Sequence, residues 1–224
     1  MALKGKTIQL KSGDGAEIDC YHVQASGDRK GGLVLIMEIF GVTDHIRELC
    51  DGYAADGYEV LSPALYDRQQ KDFEASYSQE DIETSLKLRA ENTYENTVLD
   101  CQACVDFLKP RGPVFITGYC YGGSVSWLAA CRVNGLSAAA GYYGGAIIEF
   151  NEEDPKCPTI LHFGEKDASI PIDDVREIEA SHPDVQVYVY NADHGFNSDR
   201  RQNYDEACAL QAKERTLNHF ASNA

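Results

Sequence analysis

The 224-residue chain carries 36 acidic residues against 20 Lys and Arg, a formal charge of −16. That balance argues against nucleic acid or an anionic membrane surface as partner, because both attract basic proteins. At 43% hydrophobic and 25% charged residues the composition is that of a soluble globular protein, and no apolar run approaches the roughly 20 residues of a membrane span. The expectation is a single cytoplasmic domain over residues 1–224, since no basic segment followed by an apolar stretch opens the sequence.

In chain order, "GKTIQL" and "AEIDCYHV", separated by Ser12-Gly13-Asp14-Gly15, predict an antiparallel hairpin. "GGLVLIME" is a continuous apolar run, the pattern of a strand covered on both faces. A helix over "HIRELCDGYAADG" ends at Gly57, and "YEVLSP" is the next strand. A long polar connection, Asp67 to Glu80, is an expected excursion over a site, and it leads to one helix ending at Lys109. The strand "PVFITG", a helix after Gly123, and the strands "LSAAAGYYG" and "PTILHFGEKD" follow. The helix "IDDVREIEASH", the strand "DVQVYVYN" and the helix "YDEACALQAKERTLNHF" close the chain. This alternation predicts an α/β fold, a mostly parallel doubly wound sheet with its active crevice at the strand C-termini.

Gly118-x-Cys120-x-Gly122 sits where a strand hands over to a helix. It is a nucleophile elbow with Cys in place of Ser: the glycines permit the sharp turn that lifts the thiol above the sheet edge. Such a thiol needs a base and a group to orient it. Asp167, in the loop after "TILHFG", and His194, after the last strand, supply them in the chain order nucleophile, acid, histidine. His162 lies inside a strand and is expected to be a core histidine, and Asp173 and Asp174 favour the helix start they precede. Glu38 follows an apolar strand directly, which places it near Cys120. The backbone N–H groups of Ile39 and Tyr121 then form the expected oxyanion hole. Of the eight cysteines, Cys101 and Cys104 have redox or metal spacing but fall in a helical apolar pattern.

"MEIFGVTDHIRE", "LYDRQ", "GYCYGG", "HFGEKDASIP" and "ADHGF", in this order, resemble the dienelactone hydrolases, or carboxymethylenebutenolidases, from about Glu17 onward. The resemblance implies an α/β-hydrolase fold that opens dienelactone to maleylacetate without metal or organic cofactor, its only partner a small lactone or ester, in a monomer. It implies a triad of Cys120, His194 and Asp167, with Glu38 holding the resting thiol and then taking its proton. Arg68 would grip the substrate's carboxylate, and Tyr142 and Tyr143 would stand beside the pocket. The chain departs from the family pattern at Ser198, four residues beyond His194, where a second arginine is usual; Arg200 and Arg201 come just after. Two rival readings remain at this level: a broader esterase or thioesterase on the same fold, and a thiol redox or binding protein on a hydrolase scaffold.

Overall fold

The computed structural model describes residues 4–224. The opening hairpin pairs β1 (Lys6–Lys11) with β2 (Glu17–Val23), antiparallel. The chain continues through β3 (Gly31–Ile36), α1 (Asp44–Ala55), β4 (Tyr58–Pro63), α2 (Gln79–Glu91), α3 (Tyr94–Leu108) and β5 (Val114–Tyr119). It ends with α4 (Tyr121–Arg132), β6 (Ala138–Tyr142), β7 (Thr159–Gly164), α5 (Ile172–Ser181), β8 (Gln186–Tyr190) and α6 (Glu206–Ser222). The eight strands form one sheet in the order β1-β2-β4-β3-β5-β6-β7-β8, parallel from β4 to β8.

Every residue of β3, β4, β5, β6 and β7 is buried, so helices cover both faces of the sheet as their continuous apolar composition requires. The edge strands β1 and β8 are partly exposed to solvent. Trp127 of α4 and Phe115 of β5 are among the largest fully buried side chains.

One expected helix is two. The helical pattern before Lys109 breaks at Asn92, whose backbone is extended (φ −88°, ψ 113°), and Thr93 caps α3 by accepting the Asn96 N–H at 3.2 Å. Thr is a good N-cap and a poor interior residue, so the chain restarts there. The two pieces differ in attachment. Of α2 only Ser85 and Leu88 are buried, whereas α3 buries six residues, Cys101 and Cys104 among them.

α4 begins at Tyr121, three residues before the predicted start, because Gly122 and Gly123 are themselves helical. Both lie against backbone. A Cβ on Gly122 would stand 2.6 Å from the carbonyl oxygens of Ile36 and Met37, and one on Gly123 would stand 2.2 Å from that of Tyr142. Those neighbours are strand ends with nowhere to retreat. Gly123→Ala should therefore lower stability by about 2 kcal/mol or more, an overpacking cost, read as a shift in the urea midpoint at unchanged slope.

Candidate active site

The sheet register brings the predicted residues together. Ile36 of β3 stands opposite Gly118 of β5, so Glu38 and Cys120, each two residues further on, leave neighbouring strand ends. Tyr119 of β5 pairs with Tyr142 of β6, which puts Tyr143 beside Cys120, and the Cys120 N–H donates to the Tyr142 carbonyl at 3.0 Å. Gly164 of β7 pairs with Tyr190 of β8, and the loops beyond them carry Asp167 and His194.

Cys120 has φ 58° and ψ −115°, a conformation that L-residues rarely adopt. Holding it there costs on the order of 1–3 kcal/mol, supplied by the packed strands around it. The result is a half-buried thiol at the N-terminus of the 12-residue α4. Tyr121 opens that helix, so its N–H is one of the donors a helix start leaves free, and the positive end of the helix dipole faces developing anions. Ile39, after Glu38, is half-buried.

His194 Nδ1 lies 2.7 Å from Asp167 Oδ2, and Asp167 Oδ1 accepts the Ser169 N–H at 2.8 Å. The carboxylate is thus fixed through both oxygens. Burial draws the His194 pKa down. The hydrogen bond to Asp167, with the hydrogen bond and negative charge of Cys120, outweighs burial and pushes it up to about 10. His162, inside β7, is wholly buried between the Tyr190 hydroxyl at 2.9 Å and Thr216 at 3.0 Å, and burial pushes its pKa down to about 3. It is a neutral core histidine.

Glu38 is buried, but its partner is not the thiol. Tyr77 donates its hydroxyl to Oε2 at 2.8 Å and also contacts the Ser198 hydroxyl at 3.1 Å. Arg201 Nη1 stands 3.8 Å from Oε1, which accepts no hydrogen bond, and its guanidinium lies over the Tyr77 ring at 5.6 Å. The expectation of a thiol held by Glu38 thus meets a different arrangement, in which Glu38 faces Tyr77 and Arg201. Tyr77 comes from the connection between β4 and α2, which does pass over the site: Ala75 N–H donates to the Phe40 carbonyl at 3.0 Å.

Two predicted substrate contacts are not brought to the thiol. The Arg68 guanidinium is held between Asp14, at 2.7 Å, and the fully buried Asp100 of α3, so its charge is already matched. The Tyr142 side chain is core: its ring packs on Tyr119 and His162 and its hydroxyl bonds Thr216 at 2.7 Å. Strand alternation sends it into the sheet's packing, while Tyr143, one residue later, turns to the site with its ring centroid 5.1 Å from that of His194. At the unusual Ser198 position the buried hydroxyl serves Tyr77. Arg200 is spent on Glu48 and Asp199 at the surface, and Arg201 is the cation that reaches the site. Among the described residues no three His, Cys, Asp or Glu side chains cluster in a metal-holding arrangement, and no helix is long and apolar enough to cross a membrane.

A parallel sheet entered by an antiparallel hairpin, with an elbow at the end of β5 and an Asp–His pair beyond β7 and β8, defines an α/β-hydrolase, here a carboxylic ester hydrolase. The profile of the dienelactone hydrolase family matches residues 18–223, and the chain belongs to that family. A Synechocystis protein provisionally named a carboxymethylenebutenolidase is 32% identical over 209 residues, 84% of each chain. Carboxymethylenebutenolidase 1 of Cupriavidus pinatubonensis is 26% identical over 225 residues, 96% of this chain and 95% of that one. A Klebsiella pneumoniae structure, provisionally named a dienelactone hydrolase, superposes with a TM-score of 0.84 at 29% identity, covering 97% of this chain and 98% of that one.

Proposed function

We propose that the chain opens carboxylate-bearing lactones, dienelactone to maleylacetate, with Cys120 as nucleophile and His194 and Asp167 as its base and orienting acid. The observation that carries this reading is the 2.7 Å His194–Asp167 bond set at strand ends beside the strained thiol. His194 accepts the Cys120 proton once substrate is bound. The thiolate attacks the lactone carbonyl, and the oxyanion is held by the Ile39 and Tyr121 N–H groups. Collapse breaks the ring C–O bond, His194 returns the proton to the leaving oxygen, and a thioester remains. Once the sulfur is acylated its negative charge is gone, so the support it gave the imidazolium disappears. His194, now neutral, takes a proton from water, which attacks the thioester and expels the thiolate.

Arg201 is the carboxylate-recognising group in this scheme. Without substrate, Glu38 holds it beside the site at 3.8 Å; a substrate carboxylate takes over that role. Loss of such a charge-assisted contact is worth about 1.5–3 kcal/mol, roughly ten- to a hundredfold in binding. Arg201→Met should raise KM for cis- or trans-dienelactone by that factor while leaving p-nitrophenyl acetate within about twofold. Equal effects on both substrates would move the chain to the broader esterase reading, which the diversion of Arg68 into its ion pairs favours.

A further inference from the structure

Around the thiol, one polar group is left over. The Tyr143 hydroxyl is buried and has no hydrogen-bond partner, although a phenol taken out of water ordinarily finds one. The backbone holds it firmly. Tyr143 has φ 37°, rare for a side-chain-bearing residue, and its N–H donates to the His162 carbonyl at 2.7 Å. Its ring packs edge-on against Phe196 at 5.3 Å and tilted against His194 at 5.1 Å. A strained backbone that delivers an unsatisfied hydroxyl is costly twice over, and neither cost contributes to packing.

The hydroxyl belongs to a side chain that leaves the β6 end beside Cys120, with its ring against His194. Its pKa is raised, first by burial and then by the negative charges of Glu38 and Cys120, with Arg201 pulling the other way. The ring contact with His194 puts the Tyr143 side chain on the His194 side of Cys120. The oxyanion donors, Ile39 and Tyr121, belong to the strand end and helix start instead. During collapse, the oxygen on the His194 side is the one that leaves.

We propose that Tyr143 is a further catalytic residue, its hydroxyl donating a hydrogen bond to the leaving oxygen as the C–O bond breaks. This rests on the nucleophilic reading of Cys120. No proton changes owner at Tyr143: the C–O bond breaks as the thioester forms, His194 supplies the proton, and the phenol only stabilises charge in transit. Movement of Arg201 from Glu38 to a substrate carboxylate opens the space beside the hydroxyl. The substrates that gain most are esters with poor leaving groups, lactones with unstabilised alkoxides and alkyl esters included.

The test compares wild type and Tyr143→Phe across aryl acetates of graded leaving-group basicity, from p-nitrophenyl to phenyl to p-methoxyphenyl, reading kcat/KM. Removal of a donor that acts on developing charge should leave p-nitrophenyl acetate within about twofold and slow the phenyl and p-methoxyphenyl esters by roughly tenfold or more. The dependence on leaving-group pKa becomes steeper. Alkylation of Cys120 by iodoacetamide, which has no oxygen leaving group, should proceed at the wild-type rate. The melting temperature should stay level or rise, since an unsatisfied buried hydroxyl has been removed. A uniform drop across the series, or none, overturns the proposal. If Cys120→Ala hydrolyses the whole series as the wild type does, the nucleophilic reading itself fails, whatever Tyr143→Phe shows.

Discussion

Cys120→Ala should lower kcat/KM for dienelactone and for p-nitrophenyl acetate by at least about four orders of magnitude, the scale on which removal of a catalytic nucleophile acts. The fold should survive. Alanine meets the same backbone demand at φ 58° as cysteine does, and it leaves no cavity larger than one sulfur atom in a half-buried position. Equal melting temperatures with lost turnover would thus separate chemistry from stability. Mass spectrometry of wild type quenched in acid during turnover should find the acyl group on the peptide that contains Cys120. Turnover by the variant at wild-type rates would remove the thiol from the mechanism and give the lead to a redox or binding role.

The second large effect is expected from Asp167→Asn, about four orders of magnitude in kcat. The geometry explains why so small a change is severe. One carboxylate oxygen accepts the Ser169 N–H and the other faces His194 Nδ1, so both oxygens act as acceptors. An asparagine has one. If its oxygen keeps Ser169, its NH2 meets Nδ1 and forces the proton onto Nε2, the nitrogen that must accept. The same substitution changes titration. The folded pKa of His194, about 10, lies above the ordinary value of 6.5. Its stabilising contribution is therefore full below pH 6.5 and is lost as pH rises through about 10. The imidazole NMR titration of the wild type should have its midpoint near 10, and Asp167→Asn should bring it down. Urea unfolding should show the wild type losing more stability than the variant between pH 6.5 and pH 10. Matching titrations would mean that Asp167 does not charge-pair with His194.

The parts of the site legible in the sequence were those announced by regular structure. Cys120 is flagged by glycines at a strand-to-helix junction, and Asp167 and His194 follow apolar runs whose ends set their position. Sheet register does the rest, carrying Glu38 to Cys120 through the pairing of Ile36 with Gly118. Tyr77 and Arg201 gave no such signal, for each lies in an irregular loop where no period tells which side chain turns inward. Arg68 shows the limit of motif matching. The partners that neutralise it, Asp14 and Asp100, are 54 and 32 residues away in sequence and meet it only in the folded chain. Tyr142 and Tyr143 could not be ranked beforehand, because one residue of strand alternation decides which ring faces the thiol. The split between α2 and α3 rests on Thr93, an N-cap without the acidic residue at the third helical position that would have strengthened the signal.

The light anchoring of α2 bears on how such an enzyme diversifies. The proposed catalytic residues follow strands that are mostly buried on both faces, where almost any substitution disturbs the sheet. α2 is tied down by two buried side chains, yet its N-terminal approach carries Tyr77 against Glu38, and its Arg89 reaches Tyr94 with a 2.8 Å hydrogen bond and lies over the Tyr121 ring at 6.0 Å. Substitution or lengthening of this segment should thus cost folding little. The molecule is divided into a part that inheritance must keep and a part that selection is free to rewrite.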